Sequence, residues 1–228
     1  MTAQGKRESA ADAFIFDMDG VLCDTIPFHV DAWHAFARSI GKDFADSDIL
    51  SWMGADNRHY LAHLIGREPT AEEVADCISR KEAMFREAAR GRLAPPCGLV
   101  EFLSLLESRG ARCAVATGGP PDNVSFILGT LGIERFFRTV VDSSMIARCK
   151  PAPDCFLEAA RRLGARPDEC TVFEDAVNGI KAAGAAGMRS VAVTGTNTRE
   201  TLAGAGADAV IDSFKEAADV CFPRHRRA

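Results

Sequence analysis

Asp17 and Asp19 stand two residues apart at the end of the apolar run Phe14-Ile15-Phe16, and Gly20 follows at once. Such a run reads as a buried strand. A buried strand that breaks into Asp-x-Asp-Gly sets two carboxylates at the carboxyl end of a sheet, where open α/β folds bind their ligands. Carboxylates this close repel one another and lose hydration, and a cation relieves both penalties. The pair points to a metal site or to a nucleophile beside an acid/base group. A calcium loop of the EF-hand kind is excluded, because Gly20 comes too early and no glutamate falls at the required distance.

Three further clusters carry related chemistry. Thr117-Gly118-Gly119 offers a hydroxyl and exposed amides, Lys150-Pro151 a cation, and Glu174-Asp175 two more acids. Each alone has an ordinary explanation: Thr-Gly-Gly is common at helix starts, and Glu174-Asp175 could cap the helix that follows. The glycines are not spaced G-x-G-x-x-G, so a dinucleotide site has no support. Taken together, the clusters suit phosphoryl transfer. Carboxylates hold Mg²⁺, a hard cation that prefers oxygen ligands. A lysine and the metal neutralise phosphate charge, while the hydroxyl and glycine N–H groups bind phosphate oxygens, helped by the next helix start. One carboxylate can attack phosphorus, and the other can give a proton to the leaving oxygen and later take one from the acceptor.

The elements that must position these groups follow from periodicity. Beyond the first strand, helical patterns cover Pro27 to Ile40, Tyr60 to Ile65 and Ala71 to Ala89, the last opened by a capping-box signal at Thr70-Ala71-Glu72-Glu73. No strand pattern interrupts Asp24 to Arg92, and the run Leu93 to Gly98 reads as a linker. From Leu99 onward helices alternate with strands at Arg112 to Thr117, Thr139 to Val141, Thr171 to Glu174, Ser190 to Val193 and Ala209 to Ile211. This is the rhythm of an α/β protein with a parallel sheet covered on both faces. The first strand must join that sheet, since its backbone groups need partners. The expected organisation is therefore a loose leader at 1–11, a discontinuous α/β core over 12–24 and 96–228, and an all-helical insert at 25–95. The Ala/Gly run from Ala182 to Gly187 is expected to pack a helix end closely on the sheet.

Bulk properties narrow the partners. The chain has 228 residues, of which 47% are hydrophobic and 26% charged, with a formal net charge of −5. That balance disfavours non-specific binding to nucleic acid or anionic membranes. No apolar run reaches the length of a membrane span. The eight cysteines are scattered without metal-ligand spacing, and Cys113, Cys155 and Cys170 fall in apolar patterns. They are expected to be buried free thiols, as in a reducing cytoplasm. The basic tail Arg224-His225-Arg226-Arg227 reads as a solvated end. A small phosphorylated molecule is the expected partner. The sequence gives no oligomeric state, and a monomer is compatible with it.

At this point the chain resembles the haloacid dehalogenase superfamily. Asp17-Met18-Asp19-Gly20-Val21, Ala116-Thr117-Gly118, Cys149-Lys150-Pro151-Ala152-Pro153-Asp154 and Val172-Phe173-Glu174-Asp175-Ala176-Val177-Asn178-Gly179-Ile180 look like its four motifs. The resemblance implies a Rossmann-like parallel sheet core with an inserted helical cap. It implies Asp17 as nucleophile, Asp19 as general acid/base, and Thr117, Gly118 and Lys150 as phosphate binders. Mg²⁺ would be held by Asp17, the Asp19 backbone carbonyl and Asp175, with Glu174 as a ligand or its partner. True dehalogenases of the superfamily lack an aspartate at the position of Asp19, so carbon–halogen chemistry is not expected.

Within the superfamily, Asp24-Thr25-Ile26-Pro27-Phe28-His29, with Trp33 one turn on, is similar to the hinge and first cap helix of the β-phosphoglucomutase subgroup. That makes Thr25 and His29 candidates for substrate binding, whereas Trp33 is expected to be cap core. Met53-Gly54-Ala55-Asp56-Asn57-Arg58 resembles the mutase's substrate loop, and Arg80-Lys81 a cap pair whose lysine binds phosphate. Gly54, Arg58 and Lys81 are accordingly candidates. The chain departs from the mutase pattern at Met53, where the mutase has lysine. Arg58 is shifted by one residue, and Thr117-Gly118-Gly119 lacks a serine hydroxyl. These losses favour a Mg²⁺-dependent sugar-phosphate phosphatase over a mutase, with a non-catalytic phosphometabolite-binding protein as a third reading.

Overall fold

In the computed structural model of the protein, residues 13–51 and 57–223 are described. Two compact units divide the chain: one runs to Cys23 and resumes at Pro95, and the other spans Asp24–Ala94.

The first unit is built on a parallel sheet. Its strands are β1 (Ala13–Phe16), β2 (Arg112–Ala116), β3 (Thr139–Val141), β4 (Cys170–Glu174), β5 (Arg189–Val193) and β6 (Ala209–Ile211). Among the described residues the order is β3-β2-β1-β4-β5-β6, every neighbouring pair being parallel. The strand order reverses direction between β1 and β4, which is where open parallel sheets form a ligand crevice.

β1 is flanked on both sides and buried on both faces, which explains its unbroken apolar sequence. Its side chains alternate between two cores. Ala13 and Ile15 join a cluster with Phe156, Ala159, Ala160, Ala182 and Ala183. These come from the helices α7 (Asp154–Leu163) and α8 (Val177–Ala185). The alanines of α8 bring its backbone close to the sheet, as the run from Ala182 to Gly187 predicts. Phe14 and Phe16 meet the rings of Phe102, Phe173 and Phe214 on the opposite face. Phe102 lies on α5 (Leu99–Ser108). The remaining helices of this unit are α6 (Pro121–Leu131), α9 (Arg199–Gly204) and α10 (Ala217–Cys221). The eight cysteines are all free, and Cys113, Cys155 and Cys170 are buried.

The second unit holds α1 (Ile26–Ser39), α2 (Asp46–Ser51), α3 (Asn57–Ile65) and α4 (Ala71–Ala89), with no strand among its described residues. Its own core contains Trp33, Phe36, Ala37, Tyr60, Leu61, Leu64 and Cys77. Trp33 stacks on Tyr60 with ring centroids 4.5 Å apart, so it is a packing residue. The α4 start carries the expected capping box: Glu73 N donates to Thr70 Oγ1 at 3.2 Å, and Thr70 N donates to Glu73 Oε2 at 2.8 Å. Among the described residues, no helix is long and apolar enough to cross a membrane.

Candidate active site

The sheet ladder runs one residue beyond β1, since Asp17 N donates to Phe173 O at 2.9 Å. That bond fixes the Asp17 backbone at the carboxyl edge, and its side chain is buried. The chain then turns sharply, with Leu22 N donating to Met18 O and Gly20 N to Cys23 O. Gly20 adopts φ +79° there, a region that L side chains rarely enter. A Cβ at Gly20 would also overlap Asp175 Oδ2 and lie 2.8 Å from Thr196 Oγ1. Asp19 is half-buried on the same turn.

Lys150, in the loop between β3 and α7, joins this turn to β4. Its ammonium donates to Asp17 Oδ1 at 2.6 Å and to Glu174 Oε2 at 2.9 Å, and it lies 4.8 Å from the centre of the buried Phe156 ring. Glu174 and Asp175 do not cap α8. The N-cap is Ala176, without a side-chain bond. The Glu174 side chain instead passes over Gly179 of α8, where any Cβ would overlap its carboxyl carbon. Asp175 accepts a hydrogen bond from Asn197 Nδ2, 3.0 Å, on its backbone carbonyl, and its carboxylate lies with the Thr196 hydroxyl over Gly20.

At the end of β2, Thr117 N donates to Val141 O at 3.0 Å, and the buried Thr117 hydroxyl accepts from Gly119 N at 3.0 Å. The loop leans on the acidic turn: a Cβ at Gly119 would meet Met18 Cε at 3.0 Å and Asp19 Oδ2 at 3.8 Å. Gly118 faces open space. Asp17, Asp19, Thr117, Gly118, Lys150, Glu174 and Asp175 thus gather along one edge of one sheet.

Among the described residues, Asp17, Glu174 and Asp175 bring carboxylate oxygens within 4.8 Å of one another, and all three are buried. The Asp19 side chain is not in this group. Burial pushes the Asp17 and Glu174 carboxyls above their ordinary values against the opposing pull of Lys150, and Asp17 repels Glu174 further upward. Burial and repulsion from Asp17 lift Asp175 to about 7. Burial works against the Lys150 charge, but Asp17 and Glu174 outweigh it and raise its pKa. Three buried carboxylates around an ammonium leave negative charge that must take up protons or a further cation. All the donors are hard oxygens, so the cluster fits Mg²⁺.

In the helical unit, Thr25 is buried at the N-cap position of α1, and its carbonyl accepts from Phe28 N and His29 N. His29 stacks on Phe85 at 4.1 Å, and its Nδ1 lies 2.9 Å from Lys81 Nζ. Lys81 is buried and also pairs with Glu82 at 3.0 Å. Arg58 Nη1 donates to the Pro69 carbonyl at 2.9 Å. Gly54, with Met53, lies outside the described residues.

Three residues of the sheet-edge site carry no signal in the motif spacing: Phe156, Thr196 and Asn197. Thr196 and Asn197 follow β5, so the rule that singled out the other strand ends also reaches them.

The sequence matches the haloacid dehalogenase-like hydrolase family over residues 11–187. It is 34% identical over 181 residues to fructose-1-phosphate phosphatase YqaB of Escherichia coli, covering 78% of this chain and 94% of that protein. It is 32% identical over 189 residues to β-phosphoglucomutase of Bacillus subtilis, covering 79% and 82%. The structure of CbbY from Rhodobacter sphaeroides in complex with phosphate superimposes with a TM-score of 0.81 at 27% identity, over 91% of this chain and 96% of that one. This chain belongs to the haloacid dehalogenase-like hydrolases and is an enzyme.

Proposed function

We propose that the protein is a Mg²⁺-dependent phosphatase that hydrolyses a sugar phosphate through an aspartyl-phosphate. The observation that carries this reading is the Asp17 carboxylate, buried at the end of β1, held by Lys150 and flanked by Asp19. The phosphatase and the mutase named above act on phosphorylated sugars, and CbbY binds phosphate, which supports the substrate class.

The backbone bond to Phe173 fixes Asp17 for attack on phosphorus. A bond forms from the Asp17 carboxylate to phosphorus as the ester P–O bond breaks. Asp19 gives its proton to the leaving sugar oxygen. Asp19 then takes a proton from water as that water attacks the same phosphorus, and Asp17 leaves as a carboxylate. Lys150 spends two of its three N–H donors on Asp17 and Glu174, leaving the third for a phosphate oxygen. The Thr117 hydroxyl and the amide of Gly118 are the other phosphate donors. Asp17, Asp175 and the Asp19 carbonyl would hold Mg²⁺, with Glu174 beside them. When bound, Mg²⁺ supplies the positive charge that lets a phosphate dianion approach a carboxylate.

The relative from B. subtilis favours a second reading, in which a sugar hydroxyl replaces water as acceptor. Against it stand Met53 in place of a lysine and the engagement of Arg58 with Pro69. The test offers the purified protein and Mg²⁺ a panel of sugar phosphates and measures free phosphate and isomerised product together. Phosphate release that vanishes in Asp17→Asn is expected. Conversion of β-glucose 1-phosphate to glucose 6-phosphate with little free phosphate would establish the mutase instead.

A further inference from the structure

A fifth strand-end segment, Gly195-Thr196-Asn197-Thr198 after β5, touches the acidic cluster and has no part in the steps above. Two residues of this segment converge on Asp175. The Thr196 hydroxyl sits beside the Asp175 carboxylate, both oxygens crowding the place where a Cβ on Gly20 would stand, and its pull lowers the Asp175 pKa. Asn197 Nδ2 donates to the Asp175 backbone carbonyl at 3.0 Å. With Thr196 Oγ1 2.8 Å from where a Cβ on Gly20 would stand, the loop and the acidic turn enclose Asp175 between them.

The segment is itself anchored. Thr194 Oγ1 donates to Asp212 Oδ1 at 2.9 Å, and Thr194 N to Ile211 O at 3.0 Å. Thr198 caps α9 by accepting from Thr201 N at 3.3 Å. A loop pinned at both ends can hold one side-chain rotamer, which a free loop cannot.

We propose that Thr196 and Asn197 are positioning residues that fix Asp175 as a cation ligand and thereby set the affinity of the protein for Mg²⁺. The assignment rests on the Mg²⁺ reading above. A carboxylate already held in place loses little freedom when it binds a cation. Without the Thr196 hydroxyl, Asp175 must be reoriented first. Partners of this kind that orient a metal ligand typically change affinity by about 10- to 100-fold when removed.

The test is calorimetric titration of Mg²⁺ alone, without substrate, into the full-length protein and its variants. Thr196→Val keeps the side-chain shape and removes the donor, and it is expected to weaken Mg²⁺ binding by about tenfold or more. Thr196→Ser restores the donor and is expected to bind within about threefold of the unmodified protein. Asn197→Ala is expected to weaken binding in the same direction. In turnover assays the Mg²⁺ concentration for half-maximal rate should rise in Thr196→Val, while KM for substrate at saturating Mg²⁺ stays unchanged. Metal-free melting curves check that each variant is folded, and the serine variant answers the question should valine unfold the loop. Unchanged Mg²⁺ affinity in Thr196→Val, or a serine variant as weak as the valine one, would overturn the positioning role alone. An unmodified protein that binds no Mg²⁺ would overturn both this role and the cation reading.

Discussion

Asp17 and Asp19 differ in surroundings more than in chemistry, and the proposed reaction gives them separate duties. Asp17 is buried, tied to Lys150 and grouped with Glu174 and Asp175. Asp19 is half-buried beside the Gly119 loop and outside that group, and the proposed reaction uses it to exchange a proton with the leaving and entering oxygens. Asp19→Ala should therefore still bind substrate, with KM little changed, while kcat falls by roughly 10²–10⁴, the scale of acid/base catalysis. Steady-state kinetics on the best substrate measure both, and near-normal kcat would remove Asp19 from its role. Lys150→Met should be more damaging than its volume suggests. It strips the buried carboxylates of their ammonium, and removing one partner of a buried ion pair costs about 3–5 kcal/mol. Denaturant melts should show that loss in metal-free protein, with partial recovery when Mg²⁺ is added.

At the scale of elements, the helix α8 matters through a missing atom. Gly179 leaves the channel in which Glu174 lies, and Gly179→Ala would force that carboxyl out of place. Overpacking of this kind costs about 1–3 kcal/mol, and the displaced Glu174 should also loosen Lys150, lowering kcat. Urea unfolding paired with a rate assay checks both effects. The strands were legible because central parallel strands must be apolar on both faces, as in Phe14-Ile15-Phe16 and Thr171-Val172-Phe173. The capping box at Thr70 was equally plain. The short helices α2, α9 and α10, of five or six residues, were not, because so short a run cannot display a 3.6-residue period. In the site, the acids and Lys150 were legible by type and position. Phe156 and Thr196 were hidden: an apolar ring and a common hydroxyl acquire a role only through what they touch.

For the molecule as a whole, the acidic cluster is an internal source of instability that a cation relieves. Asp175 is raised to about 7, and Asp17 and Glu174 are raised too. Carboxyls whose pKa is higher folded than unfolded stabilise the protein while protonated, and that contribution is lost as pH rises through the folded values. Metal-free protein should therefore melt at lower temperature at about pH 8 than at about pH 6, the window around the Asp175 value, as far as this cluster governs it. Added Mg²⁺ should raise the melting temperature more at the higher pH, because protons and the cation compete for the same oxygens. Scanning calorimetry with chelator and with Mg²⁺ at the two pH values tests this. A Mg²⁺ effect equal at both would separate the cation from the titrating cluster.

In the proposed reaction Asp17 attacks phosphorus. The direct measurement is rapid acid quench during turnover of a sugar phosphate with Mg²⁺, followed by peptide mapping by mass. One added phosphoryl group on the peptide carrying Asp17, absent from Asp17→Asn, is the predicted result. Turnover that continues in Asp17→Asn, or a phosphoryl group trapped on another residue, would contradict the account.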